Sequence, residues 1–199
     1  LHTADWHVGK KLNGFDLLDD QQNVFKQIES IAREKKVAAV VIAGDVYDKA
    51  VPSAEAVSLF DEFLVRLARR NLSVFVISGN HDSGERLDFG RTLLAKQGMH
   101  LAGTYDSVLE SVMLCDGDGC RVQFHLLPWL RPMELRERLQ LEQSSQQCAV
   151  QAVLAQADWE ESHLQSMEKA VRSTRKILME KKAEAVWLQV IWDHPEKEA

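Results

Sequence analysis

Residues 78–90 read SGNHDSGERLDFG and follow directly on the apolar run LSVFVI, residues 72–77. A buried strand that ends in Gly79-Asn80-His81-Asp82 places an amide, an imidazole and a carboxylate where packing alone has no use for them. Two upstream segments end in the same way. TADWH, residues 3–7, sets Asp5 and His7 two apart, and VVIAGDVYD, residues 40–48, sets Asp45 behind a continuous apolar run.

Between these endings the chain alternates strand and helix. Residues 1–4 form a strand stub. Residues 17–36 place Leu17, Val24, Ile28 and Ile31 at helical spacing, which predicts an amphipathic helix. VAAVVIA, residues 37–43, suits a parallel strand covered on both faces. Residues 53–71 open with Ser53 as an N-cap after Pro52 and then repeat apolar residues at helical spacing. LSVFVI is the next buried strand and Glu85–Gln97 the next helix. This order predicts an α/β layered fold with right-handed crossovers. Its parallel strands present their carboxyl ends along one edge, where such folds place ligand sites.

After Gly98 the pattern changes. SVLESVMLC, residues 107–115, and CRVQFHLL, residues 120–127, bracket Asp116-Gly117-Asp118-Gly119, an antiparallel hairpin signal. PWLRP, residues 128–132, has two prolines in five residues and is expected to be neither helix nor strand. Residues 133–182 are Gln/Glu/Lys-rich and predict one or two helices, carrying Val150, Leu154, Met167 and Val171 at irregular helical spacing. EAVWLQVIW, residues 184–192, suits a last strand, and residues 193–199 a frayed end. No repeat occurs and no linker clearly divides the chain. One domain over residues 1–199 is expected, its part from 133 to 199 largely helical.

Composition bounds the function. No apolar stretch of about 18 residues occurs, so no membrane span is expected. The start, LHTADWH, has neither an initiator Met nor a basic and apolar leader, which predicts no secretory signal in these residues and a residue or two missing before Leu1. Cys115, Cys120 and Cys148 make an odd count that fits free thiols in a reducing, cytoplasmic compartment, although Cys115 and Cys120 can face each other across the hairpin. The net charge is −6; residues 1–100 carry 13 Lys/Arg against 14 Asp/Glu, and residues 101–199 carry 11 against 16. Neither half is a basic nucleic-acid wrapper. A phosphate-bearing substrate needs metal ions, a local patch or a partner's surface.

The three strand ends supply such ions with donors. Carboxylate, imidazole and amide suit Mn²⁺, Zn²⁺ or Fe²⁺ rather than a thiolate-type site. In an extended segment residues two apart face the same way, so Asp5 and His7 can point at one ion. Asp45, on the central strand, is the natural bridging carboxylate for two ions about 3.5–4 Å apart. Gly44 and Gly79 let the backbone turn tightly beside them. Singly, each ending is ordinary: a turn, an Asn/Asp turn with a satisfied histidine, a cap with a packing aromatic. Three at successive parallel strand ends point to a metal site.

The ordered set DWH, GDVYD and GNHD resembles the calcineurin-like metallophosphoesterase superfamily, and the fuller text is most similar to its SbcD family of nuclease subunits. LHTADWHVGKKLNG (1–14), IAGDVYDKAVPSAEAVSLF (42–60), GNHDSGERLDFGRTLLAKQGMHLAG (79–103) and LLPWLRP (126–132) carry the resemblance over residues 1–132. It implies a layered metallophosphoesterase-type β-sandwich flanked by helices, incomplete at the C-terminus. It implies Asp5 and His7 as first-site ligands, Asp45 as the bridging ligand and Asn80 as the ligand of the second site. His81 matches the family's catalytic histidine, which contacts the scissile phosphate and helps the leaving oxygen depart. Its place beside a ligand, alternating away from it, suits a general acid. Asp82 is expected to cap the turn ahead of orienting His81, and Asp48 to fix the loop after Asp45. The family also draws histidines from later strands, one pair as Gly-His-x-His, which this chain lacks. Of His100, His125, His163 and His194, only His194 in WDHPE lies where a further ligand is expected.

The function implied is a metal-dependent DNA exonuclease/endonuclease. It uses two divalent ions, Mn²⁺ by first choice, and acts with an SbcC-like ATPase subunit in DNA repair, recombination and replication. A homodimer is familiar in the family, though no isolated apolar stripe argues for it here. The family is roughly twice this length, so the chain is expected to be its N-terminal portion, with at least two ligands lacking. Two other readings stand beside it: a metallophosphoesterase acting on a small phosphodiester, and a non-catalytic fragment without the complete metal site.

Overall fold

The computed structural model describes residues 1–107, 109–115, 121–142 and 145–156. They fall into two compact units, Leu1–Thr104 and a second that begins at Tyr105.

The first unit is built as strand and helix in turn. β1 (His2–Thr3) leads to a small hairpin, β2 (Lys11–Leu12) and β3 (Phe15–Asp16), and then to α1 (Leu18–Glu34). β4 (Ala39–Ala43), α2 (Ala54–Ala68) and β5 (Ser73–Ile77) follow, then two short helices, α3 (Gly84–Leu87) and α4 (Arg91–Ala95), and β6 (Met99–Ala102). β1, β4, β5 and β6 pair in that order, all parallel. The α/β architecture with a parallel central sheet flanked by helices is thus as the sequence predicts.

The core explains the order. Val40, Ile42, Val74 and Val76 on the two central strands are fully covered and meet Phe60, Phe63 and Leu67 of α2. Ser53 caps α2 as expected, its side chain accepting the Ala56 N–H at 3.3 Å. Removing a side chain such as Phe63 from this layer costs about 3–5 kcal/mol.

Two expectations differ from what is found, and two elements are added. In α1 the covered stripe is Phe25, Glu29 and Ala32, while Val24 and Ile31 are exposed. Glu29 is buried with its carboxylate paired to Arg66 of α2, and Arg70 approaches it to 3.8 Å. The helix expected over Glu85–Gln97 is broken at Gly90, which takes φ +75°. Just before the break, the Asp88 carboxylate is drawn across to the N–H groups of Gly103 and Thr104 at 2.7 and 3.0 Å. Strand β6 and the β2–β3 hairpin are additions, too short to show a period, although Asn13-Gly14 is a hairpin turn pair.

In the second unit β7 (Glu110–Cys115) and β8 (Arg121–Leu126) pair antiparallel with Glu110 opposite Leu126 and Cys115 opposite Arg121. This is the expected hairpin; its turn and Cys120 lie outside the described residues. α5 (Pro132–Leu139) begins on the second proline of PWLRP, where the missing N–H costs nothing. α6 (Gln146–Gln156) follows, and Leu127, Leu130, Leu135, Ala149, Val150 and Val153 form a small core of their own. Cys115 and Cys148 are free thiols. No helix among the described residues is long and apolar enough to cross a membrane. The last strand expected at 184–192, His163 and His194 lie outside the described residues.

Candidate metal centre

The three strand ends converge. Donor atoms of Asp5, His7 and Asp45 lie within 4.8 Å of one another, and so do donor atoms of His7, Asp48 and His81. His7 belongs to both sets. Its Nε2 is 3.8 Å from Asp45 Oδ2 and its Nδ1 is 3.5 Å from Asp48 Oδ1.

Asp5 and His7 do not reach this place from an extended strand, because β1 ends at Thr3. Both stand in the left-handed region, at φ 55° and 46°, and Asp45 joins them at 47°. Such a conformation in a residue with a side chain costs on the order of 1–3 kcal/mol each and persists only where neighbours impose it. Here the two loops impose it on each other. Asp5 N–H donates to Gly44 O at 3.2 Å, His7 N–H to Asp45 O at 2.9 Å, and Val8 N–H to Val46 O at 2.9 Å. Trp6, between the two polar groups, faces the core instead. It lies 4.6 Å from the Phe25 ring and donates its indole N–H to Thr3 Oγ1 at 2.8 Å. Gln21 of α1 secures the far side, donating to His7 O at 2.8 Å and accepting from Gly9 N at 3.0 Å.

The β5 loop is fitted just as closely. Asp45 Oδ1 accepts the His81 N–H at 2.9 Å. A Cβ on Gly79 would stand 2.1 Å from that same Oδ1, so only glycine lets the two loops meet. Asp82, buried, accepts N–H groups from Gly79, Val46 and Tyr47 at 2.8, 3.0 and 2.9 Å. It caps the turn, as the sequence suggests, and also ties the β4 loop to it. Asn80 stands exposed at the rim between Gly79 and His81. The His81 ring crosses that of His7 at right angles with centroids 4.7 Å apart, and its Nδ1 is 3.1 Å from Asp48 O.

Sequence reasoning set Asp48 aside as a loop residue, yet its carboxylate comes to the centre as well. The five-residue span of GDVYD was the available signal: a turn after Asp45 brings a residue three further on back to the same edge.

Charge is unbalanced at the centre. Burial pushes the Asp5 carboxyl above its ordinary range, and the neighbouring Asp45 carboxylate pushes it further, against the pull of His7 and His81. Burial likewise raises Asp82, opposed by its three backbone donors. Two facing carboxylates are relieved by a cation. The residues fit one: His7 Nδ1 is buried without a hydrogen-bond partner, and oxygen and imidazole donors converge on one small volume.

Comparison with known proteins agrees with this chemistry. The profile of the family described as calcineurin-like phosphoesterase matches residues 1–186. The chain is similar to the SbcD subunit of the nuclease SbcCD of Staphylococcus epidermidis, 34% identical over 137 residues. That alignment covers 68% of this chain and 35% of the relative, so the chain spans about a third of the curated protein it matches.

Proposed function

The chain belongs to the calcineurin-like phosphoesterase family, and from that premise we propose that it is the metal-binding N-terminal portion of a DNA nuclease subunit. The observation that carries this reading is the convergence of the Asp5, His7 and Asp45 donors at one sheet edge. Asp5 and His7 form one half-site, Asn80 the other, and Asp45 stands between them. His194 is kept as a further ligand, outside the described residues. Two divalent ions, Mn²⁺ by first choice, supply charge neutralisation and an activated water to the phosphodiester when bound.

The chain's own residues do the rest. Asp45 holds the β4 and β5 loops in register through the His81 N–H, so the two half-sites keep a constant spacing. Asp48 sets a second carboxylate 3.5 Å from His7 Nδ1. His81, exposed at the rim, is free to meet the substrate, its Nδ1 lying 3.1 Å from Asp48 O. In its protonated form it gives a proton to the departing oxygen and is left neutral. DNA as substrate and an SbcC-like ATPase as partner are supported by the similarity to the staphylococcal protein. A partner's basic surface offsets the net charge of −6, which by itself repels DNA. Free Cys115 and Cys148 fit a reducing, cytoplasmic setting.

The test is Mn²⁺ stoichiometry on the purified chain, with Asp45→Ala as control, followed by Mn²⁺-dependent cleavage of DNA and of a small chromogenic diester. Mn²⁺ binding that is lost in the variant is expected. Two ions per chain with cleavage of DNA mean that late groups such as His194 complete the centre, and one weak ion means that the chemistry belongs to a longer protein. Cleavage of the small diester alone sinks the nuclease reading. A chain that binds no Mn²⁺ sinks the metal centre.

A further inference from the structure

The β2–β3 hairpin grows directly out of the metal centre. Lys10 N–H returns to His7 O at 3.0 Å, and Leu17 N–H closes the base on Lys10 O at 3.3 Å. Gln21 pins the same base through Trp6 O, His7 O and Gly9 N. The tip is equally fixed: Asn13 and Gly14 take φ 50° and 85°, as a two-residue type I′ turn requires. Across that turn Leu12 pairs with Phe15.

This pair is turned outwards. Phe15 is 75% exposed and Leu12 57%, on an element that has no core of its own to protect. Because its base is bonded to His7 O, the hairpin stands at the sheet edge that carries Asp5, His7 and Asp45. With a rise of about 3.4 Å per residue, the Leu12–Phe15 pair lies roughly 7–10 Å from the hairpin base. Along a strand whose phosphate is at the metal centre, that is roughly two to three stacked nucleotides. Lys11 Nζ lies 3.6 Å from Asp16 Oδ2, which leaves Lys10, exposed at the base, as the hairpin's remaining positive charge.

We propose that the β2–β3 hairpin is a substrate-gripping element, in which Phe15, backed by Leu12, stacks on an unpaired nucleobase near the scissile phosphate while Lys10 meets the strand. The inference rests on the nuclease reading above and adds to it a preference for single-stranded or frayed DNA at the centre. A nucleobase is the occupant that matches a flat apolar ring with a cation at the base of its hairpin. Stacking of this kind tolerates any base.

The probe is a single-stranded oligothymidylate carrying one 2-aminopurine, titrated against the whole chain, with Mn²⁺ affinity measured in parallel by electron paramagnetic resonance. Wild type is expected to quench the label. Phe15→Ala is expected to weaken binding about five- to a hundred-fold with Mn²⁺ affinity unchanged, and Phe15→Trp to restore it. Equal oligonucleotide affinity in wild type and Phe15→Ala overturns the inference and leaves the nuclease reading in place. If wild type binds Mn²⁺ but no oligonucleotide, the DNA reading falls and the inference with it. If Phe15→Ala instead abolishes self-association in light scattering without touching DNA affinity, the pair is a contact between copies and the inference is overturned.

Discussion

Asp82 clamps Val46 from 36 positions away, its Oδ2 accepting the Val46 N–H at 3.0 Å. The same carboxylate holds Tyr47 and Gly79, so one side chain sets the spacing between two loops that carry Asp45 and Asn80. Replacing it by Asn puts an NH₂ group against N–H donors. Asp82→Asn is expected to lose about 1–3 kcal/mol of stability and to weaken Mn²⁺ binding. Urea unfolding with and without Mn²⁺ separates the two losses.

Gly79 admits no side chain. With a Cβ 2.1 Å from Asp45 Oδ1, Gly79→Ala forces the β4 and β5 loops apart. The expected cost is about 1–3 kcal/mol, together with loss of Mn²⁺ binding. A variant that binds Mn²⁺ like wild type in calorimetry would show that the loops give way without disturbing the centre.

Asp48 faces the inner nitrogen of His7 at 3.5 Å. No hydrogen bond joins the two, and both groups belong to the second set of converging donors, so on the proposed reading Asp48 supports the ion at His7. Asp48→Asn is expected to lower Mn²⁺ affinity about 10- to 100-fold while the melting temperature stays close to wild type. Unchanged affinity would return Asp48 to a plain loop role.

His100, stacked on Phe75 with centroids 5.3 Å apart, is held below its ordinary pKa of 6.5 by burial. Between 6.5 and that lower value the unfolded chain holds the extra proton and the folded chain does not. Stability therefore rises with pH through this window and falls on acidification. His100→Phe removes this dependence. Relative to the variant, wild type is expected to lose stability as pH drops below about 6.5 and to keep a constant difference above it, as read from urea midpoints at a series of pH values.

The sheet is plain in the sequence because parallel strands covered on both faces are written as unbroken apolar runs. VAAVVIA and LSVFVI leave no other use for their residues, and a polar group directly after each must come to the carboxyl edge. Local pattern fails where a distant partner overrides it. Glu29 belongs on a solvated face by composition, yet it is buried with its carboxylate paired to Arg66 from another helix. Asp88 stops a helix for contacts with Gly103 and Thr104. The left-handed backbone of Asp5, His7 and Asp45 is likewise invisible in residue identity, since Asp and His declare no preference for it as strong as glycine's. Alternation along an extended strand puts Asp5 and His7 on one side for the wrong reason; Trp6, pulled into the core between them, is the physical one.

The backbone bonds that join those three residues run from one loop to the other, from the amides of Asp5 and His7 to the carbonyls of Gly44 and Asp45. Neither loop can breathe alone. Deuterium exchange at these two amides should proceed at a single rate and speed up together when either loop is loosened, as by Gly79→Ala. The centre thus behaves as one cooperative unit that is either assembled or open. A partly formed site, able to hold an ion loosely while one loop wanders, has no stable conformation to occupy.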